Sequence, residues 1–232
     1  MNKLKKQEKP ITIENGDSFK VILSKYGALA LDKQENLSEF IGEKQGDLDI
    51  EKGIISFGDV DLPIQILGFF TEELNQWAWA WDNKDIFGDS LVKVATQIKA
   101  VGDEFNVAEF NSPVIHADFD ACHTLAMATI SILDLDAYYA VSEEGLDIFV
   151  AIDSDLIEEN NSVEKFRDTF ATFQKNFNVF PKIAFEGYTK LKGYEFKPQS
   201  DFAVAKLGES RIIVGFTERG NVTHIQMLLE ED

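Results

Sequence analysis

The chain has one cysteine, Cys122, so it cannot close a disulfide on itself. That fits a reducing compartment. It also lacks an apolar run long enough to cross a bilayer, since the most apolar stretch, LAMATISIL at 125–133, is far too short. The opening MNKLKKQEKP is basic but leads into ITIENGDSFK, without the apolar segment a signal peptide needs. These absences predict a cytoplasmic protein with a frayed basic start and no membrane association. Phosphate-cradling glycine loops, a G-x-S-x-G nucleophile turn and paired-cysteine zinc patterns are missing too. The commonest enzyme classes are thereby removed.

One sign of charge is missing over a long stretch. From Ala100 to Glu164 there is no lysine or arginine, while fifteen acids fall there; the whole chain carries a net charge of −19. Nucleic acid, whose phosphates need cations, is excluded as a partner. A basic protein or a divalent ion is the kind of partner such a surface attracts, and a solvated face that maintains solubility is the plainer reading. Asp134, Asp136, Glu143, Glu144, Asp147, Asp153, Asp155, Glu158 and Glu159 are the positions expected to face a partner.

What is present describes a globular protein. Hydrophobic residues make up 44% of the 232, too many for disorder. A chain of this length buries roughly 70–75% of its unfolded surface and needs no staple. Helical spacing of Phe19, Ile22, Leu23, Tyr26, Ala30, Leu37 and Phe40 predicts a helix over 17–42, capped by Asp17 or Ser18 and stopped by Gly42. Four short strands follow in a meander, at about 48–50, 54–57, 64–70 and 76–82. Helices are expected over 89–104 and from a cap at Asp120 to about Leu133. A hairpin at 137–141 and 146–152 comes next, then a helix over 162–177 opened by Asn161 and Glu164. Phe180-Pro181 ends that helix, and the remainder reads as strands 202–206, 211–217 and 221–229. Short turns join only antiparallel neighbours, so the fold class is α+β, with antiparallel meanders packed on about four helices. The expected division is a core domain over 12–182 and a C-terminal meander over 183–232 packed on it. The last two strands would leave an edge able to pair with a second copy, so the sequence sets no oligomeric state.

Several short stretches hold residues suited to chemistry. NQWAWAWDN, 75–83, contains all three tryptophans at every second position. In a strand Trp77, Trp79 and Trp81 share one face. They form either the core of a sheet, the preferred reading, or an aromatic platform with Asp82 and Asn83 at its mouth. HADFDACH, 116–123, gathers two histidines, Cys122 and two aspartates, but its spacing matches no zinc pattern, and His123 on a helix suits a packed histidine better. Cys122 and His123, adjacent on a helix, point about 100° apart and cannot form a dyad with each other. DSDLIEENNSVE, 153–164, has the length of a calcium loop but carries Glu158 where that loop needs glycine. Neither cofactor nor metal is expected. The phenylalanines at 166, 170, 173 and 177 read as a core stripe, or as a greasy lid.

YGALALDKQENLSEFIG at 26–42, LPIQILGFF at 62–70 running into WAWAWDN, and HTLAMATISILDLDAYY at 123–139 together resemble a family of uncharacterised bacterial proteins known only as a domain of unknown function. The likeness covers about residues 20–152. It implies a bacterial cytosolic protein and brings no reaction with it. It also directs attention to Tyr26, Asp32, Gln34, Trp79, Trp81, Asn83, His123 and Tyr138. Were Tyr26, Trp77, Trp79, Trp81, Asn83, His123 and Tyr138 to converge, they would make a tryptophan-floored pocket. Two function classes follow. The preferred one is a non-catalytic binding or interaction protein whose acidic face meets a basic protein, as immunity proteins do. The alternative is a small-molecule-binding protein or enzyme using the aromatic pocket, with His123 as acid or base.

Overall fold

The computed structural model describes residues 11–143 and 145–230. Within them lie helices α1 (Phe19–Ile41), α2 (Lys84–Phe87), α3 (Lys93–Phe105), α4 (Ala108–Asn111), α5 (Phe119–Leu133), α6 (Val163–Asn176) and α7 (Pro181–Leu191). The strands are β1 (Asp47–Asp49), β2 (Ile54–Phe57), β3 (Val60–Thr71), β4 (Gln76–Trp79), β5 (Val114–His116), β6 (Ala137–Glu143), β7 (Leu146–Ile152), β8 (Glu195–Pro198), β9 (Phe202–Leu207), β10 (Ser210–Phe216) and β11 (Val222–Leu228). Every described pairing is antiparallel. The fold is α+β.

The long strand β3 organises the first sheet. Val60–Pro63 pairs with β2, Gly68–Thr71 with β4, and Ile64–Thr71 with β7, with a register break at Ile66–Gly68. β5 extends the sheet beyond β4, and β6 beyond β7. A Cβ at Gly68 would lie 2.5 Å from the Ala78 carbonyl and 2.6 Å from the Trp77 ring. Only glycine lets that indole sit flat on the strand.

Two helix caps and one strand end differ from the sequence expectation. Asp118, not Asp120, opens α5, its carboxylate accepting the Ala121 N–H at 2.8 Å. Ser162, not Asn161, opens α6 by accepting the Lys165 N–H. The tryptophan strand stops at Trp79, and Ala80–Asp82 is a 3₁₀ turn. At α1 the expectation of Ser18 holds, its hydroxyl accepting the Val21 N–H.

The larger correction concerns Phe180-Pro181. Proline is tolerated at the first turn of a helix, where its missing N–H has no partner to lose. It opens α7 instead of ending the α structure. The expected boundary between 182 and 183 therefore falls inside a helix. α7 lies directly on α1. A Cβ at Gly187 would come within 2.2 Å of the Lys25 carbonyl, so the two backbones touch. The second sheet, ordered β11-β10-β9-β8, packs on α7 through Phe185 against Phe196 and Phe216, and α6 lies against β10 and β11. α1 is thus the middle of the molecule, with α5 and the first sheet on one side and α6, α7 and the second sheet on the other. Among the described residues no helix is long and apolar enough to cross a membrane.

Candidate functional site

A cleft of about 800 Å³ opens between α1, α5, the start of β6 and the connection from α6 to α7. One wall comes from α1 through Phe19, Leu23 and Leu31, and the α6 end contributes Phe177. α5 supplies Asp120, His123, Thr124 and Met127. These stand three and four residues apart and so share one face of that helix. The opposite face of α5 is buried and mostly apolar, Cys122, Leu125, Ala126 and Ile130 included.

At the base of the cleft His123 Nδ1 lies 2.9 Å from the Tyr138 hydroxyl. The phenol is buried, which raises its pKa and keeps it protonated. Burial lowers the pKa of His123, against smaller raising effects of Asp120 and Asp147. A neutral imidazole is therefore the form present at pH 7. The tautomer sets the direction of this bond: the phenol donates to a bare Nδ1, or an Nδ1–H donates to the phenol oxygen. Phe119 and Phe149 meet the ring edge-on, at 4.6 and 5.1 Å between centroids, and fix its plane.

Tyr138 is itself held in place. Gln34 of α1 donates its side-chain N–H to the Tyr138 carbonyl and accepts the Tyr138 N–H, both at 2.9 Å. Its amide takes the place of a neighbouring strand along the outer edge of β6. Gln34, Tyr138 and His123 thus form one chain of contacts from helix to strand to helix.

Of the residues expected to converge, His123 and Tyr138 do so, together with Gln34. The tryptophans do not reach the cleft. Trp77 and Trp79 are fully buried, 5.0 Å apart edge-to-face, against Phe149 and Phe110. Trp79 donates its indole N–H to the Glu109 carbonyl at 2.9 Å. Trp81 is also buried, beneath the Lys99 ammonium at 5.2 Å. All three are core: Trp77 and Trp79 share the inward face of β4, and Trp81 is buried from the 3₁₀ turn that follows. Tyr26 belongs to another part of the molecule, donating to the Ile11 carbonyl, with its pKa pushed up to about 12 by burial and Asp17. Asn83 is half-buried and donates its side-chain N–H to the Trp79 carbonyl, a turn-closing role.

The acidic positions separate into two groups. Asp134, Asp153, Asp155, Glu158 and Glu159 are exposed on two neighbouring loops, α5–β6 and β7–α6. Asp136 beside them is half-buried, accepts the Ser154 N–H and has its pKa raised by burial. Glu143 and Asp147 lie at the far end of the hairpin, and Glu144 is outside the described residues. Six residue steps along β6 place the two groups about 20 Å apart.

HADFDACH is divided between β5 and the cleft. His116 is exposed on β5, while Asp118, Asp120 and His123 border the cleft. Among the described residues no three of His, Cys, Asp and Glu are grouped to hold a metal ion. The Cys122 thiol is buried and its pKa is pushed up to about 12 by burial and nearby carboxylates, so it is not a nucleophile. The stretch 153–164 is shaped by other contacts, the Asn160 N–H donating to Asn36 Oδ1. Phe166, Phe170 and Phe173 are core, and Phe177 alone reaches the cleft. Asn176, Asn178 and Lys20, which close this end, carry no sequence signal of their own.

The fold and cleft describe an α+β protein with a ligand-sized opening beside a braced histidine. More specifically, the chain belongs to DUF6882, a family of unknown function, whose model matches residues 21–155. That match takes in Gln34, His123 and Tyr138 and stops before α6. No curated protein and no solved structure matches the chain.

Proposed function

We propose that the chain is a non-catalytic binding protein whose site is the α1–α5 cleft. The observation that carries this is the His123–Tyr138 pair, set in a cavity with an apolar strip of Phe19, Leu23, Leu31, Met127 and Phe177 and a polar border that includes Lys20, Asp118 and Asp120. Ligand sites combine a concave, largely apolar surface with a few fixed polar groups, in cavities of roughly 300–1,000 Å³. Here the polar groups are pre-set by Gln34, so binding costs little ordering. Reversible binding is favoured over covalent chemistry because the one thiol is sealed in the core.

The three histidines give the test. His116 and His224 are exposed, and His123 alone faces the cleft. A metabolite panel is screened by the ring resonances of all three. A ligand of the cleft moves His123, leaves the other two unchanged and loses its effect in Leu31→Trp, which fills the cavity. A panel in which His123 never moves apart from His116 and His224 would remove the proposal.

A second reading, docking of a basic protein in the manner of an immunity protein, is favoured by the exposed carboxylates of the α5–β6 and β7–α6 loops. Of the nine expected positions, Asp134, Asp153, Asp155, Glu158 and Glu159 support this reading by their exposure, with Lys33 beside Asp134 and Lys192 beside Glu159. Charge reversal at Asp153, Asp155 and Glu158 abolishes capture of such a partner at low salt if this reading is right.

A further inference from the structure

Resting on the cleft reading, we infer that the ligand is an organic cation: an amine with an apolar, ring-sized body. The charges bordering the cleft are unequal in their availability. Lys20 is the one lysine of the border, and it is engaged, its Nζ donating to Asn178 Oδ1 at 2.7 Å and lying 4.5 Å above the Phe180 ring. Asp118 and Asp120 on the opposite side have no cationic partner among the described residues. Asp118 uses one carboxylate oxygen for the Ala121 N–H, leaving the second.

The base of the cleft agrees with a cation. The uncharged imidazole of His123 does not repel one. The Thr124 hydroxyl donates backward to the Ala121 carbonyl at 2.8 Å, so what it offers the cleft is its lone pairs. The apolar body has Leu23, Leu31, Met127 and Phe177 to lie against. The ammonium then meets carboxylates at the mouth while the body displaces water from the wall. An anion would face two unpaired carboxylates and a lysine already bound. The net charge of −19 acts over longer range in the same sense, concentrating cations near the surface.

The test uses benzylamine, 2-phenylethylamine and tryptamine, each beside its alcohol and carboxylate counterpart, titrated on the native chain with His123 ring resonances as readout. The expected result is at least a tenfold preference for amine over alcohol, with the carboxylate weakest. Asp118→Asn/Asp120→Asn should remove that preference and leave alcohol binding unchanged; asparagine still caps α5, so the variant folds. Amine and alcohol binding equally, or the carboxylate binding best, overturns the cation and leaves the cleft standing. No response of His123 to any of the nine compounds overturns the inference as well, and the metabolite panel then decides the cleft separately.

Discussion

Replacing Asp32 by asparagine tests whether the two halves of this molecule are one unit. Asp32 is 1% exposed, at the centre of α1. Lys192 lies 3.0 Å from one carboxylate oxygen, and Tyr188 donates to the same oxygen at 2.9 Å. Lys165 lies 3.3 Å from the other, close enough to pair in charge but without hydrogen-bond alignment. The two lysine side chains are 7% and 8% exposed. Asparagine has the same shape and no charge, so it leaves two buried ammonium groups without their nearest counter-charge, Lys192 keeping Glu159 at 4.0 Å and Lys165 the neighbouring Glu35. Removing one member of a buried ion set costs about 3–5 kcal/mol. A chain of this size loses about 2–4 °C per kcal/mol, which gives a fall in Tm of about 6–20 °C. Urea unfolding followed by tryptophan emission and by far-UV circular dichroism reads it. The tryptophans report only the first sheet, whereas dichroism reports both. Since Asp32 joins α1 to α6 and α7, both signals should shift together to lower urea, and Lys192→Met in the same chain should recover part of the loss. A loss under about 1 kcal/mol, or a drop confined to the dichroism, would refute the argument that this network welds residues 183–232 to the rest.

Tyr138→Phe removes the hydroxyl hydrogen-bonded to His123 Nδ1 and should cost about 0.5–1.5 kcal/mol; the ring ¹⁵N spectrum should shift its balance of tautomers, and an unchanged spectrum would show that the phenol does not set it. His123 has a folded-state pKa below its unfolded value, so the unfolded chain binds its proton more readily, and the stability it contributes is lost as pH falls through about 6.5. Glu35 and Asp136 are raised and act in the opposite sense at lower pH, so His123→Gln should flatten the stability profile between pH 7 and 5.5 while leaving the more acidic limb unaltered. Gly187→Ala puts a methyl into the Lys25 backbone and should cost about 1–3 kcal/mol or more, read by thermal unfolding; full tolerance would mean α7 does not rest on α1. Tryptophan emission of the native chain should be blue-shifted and resist acrylamide, with no change when cleft ligands are added, because no indole borders the cleft.

Where the sequence pattern was a true period, it was readable. The apolar spacing of α1, the alternation around Trp77 and Trp79, and the β6–β7 hairpin each report burial on one face, and the structure has them within a few residues. α7 was not readable because Phe180-Pro181 is ambiguous between the end of one helix and the first turn of the next, and proline suits both. The cleft was half readable. The family resemblance pointed to Gln34, His123 and Tyr138, and HADFDACH drew attention to His123 by itself. Asn176, Phe177 and Asn178 form its far side only because α6 ends where it does, a matter of tertiary placement that no local pattern encodes. The tryptophans misled as site residues for a related reason: an indole stripe looks the same whether the sheet face it covers is packed or bare.

The position of α1 explains why site and scaffold are hard to separate here. Successive residues of a helix point about 100° apart. Leu31 and Gln34 therefore face the cleft, while Asp32 and Asn36, between and beyond them, face α6 and α7. Lys33 turns a third way, donating to the Leu135 carbonyl at the end of α5 at 2.7 Å. Within one turn and a half the same helix sets the wall of the cleft, pins the end of α5 and holds the ion network. A shift of α1 large enough to open the cleft would pull Asp32 away from its two lysines, at the cost worked out above. The cleft is thus held at fixed width by buried charge. Ligand discrimination should rest on fit to a rigid wall, so widening it through Asp32 ought to relax selectivity among bodies of different size before it abolishes binding.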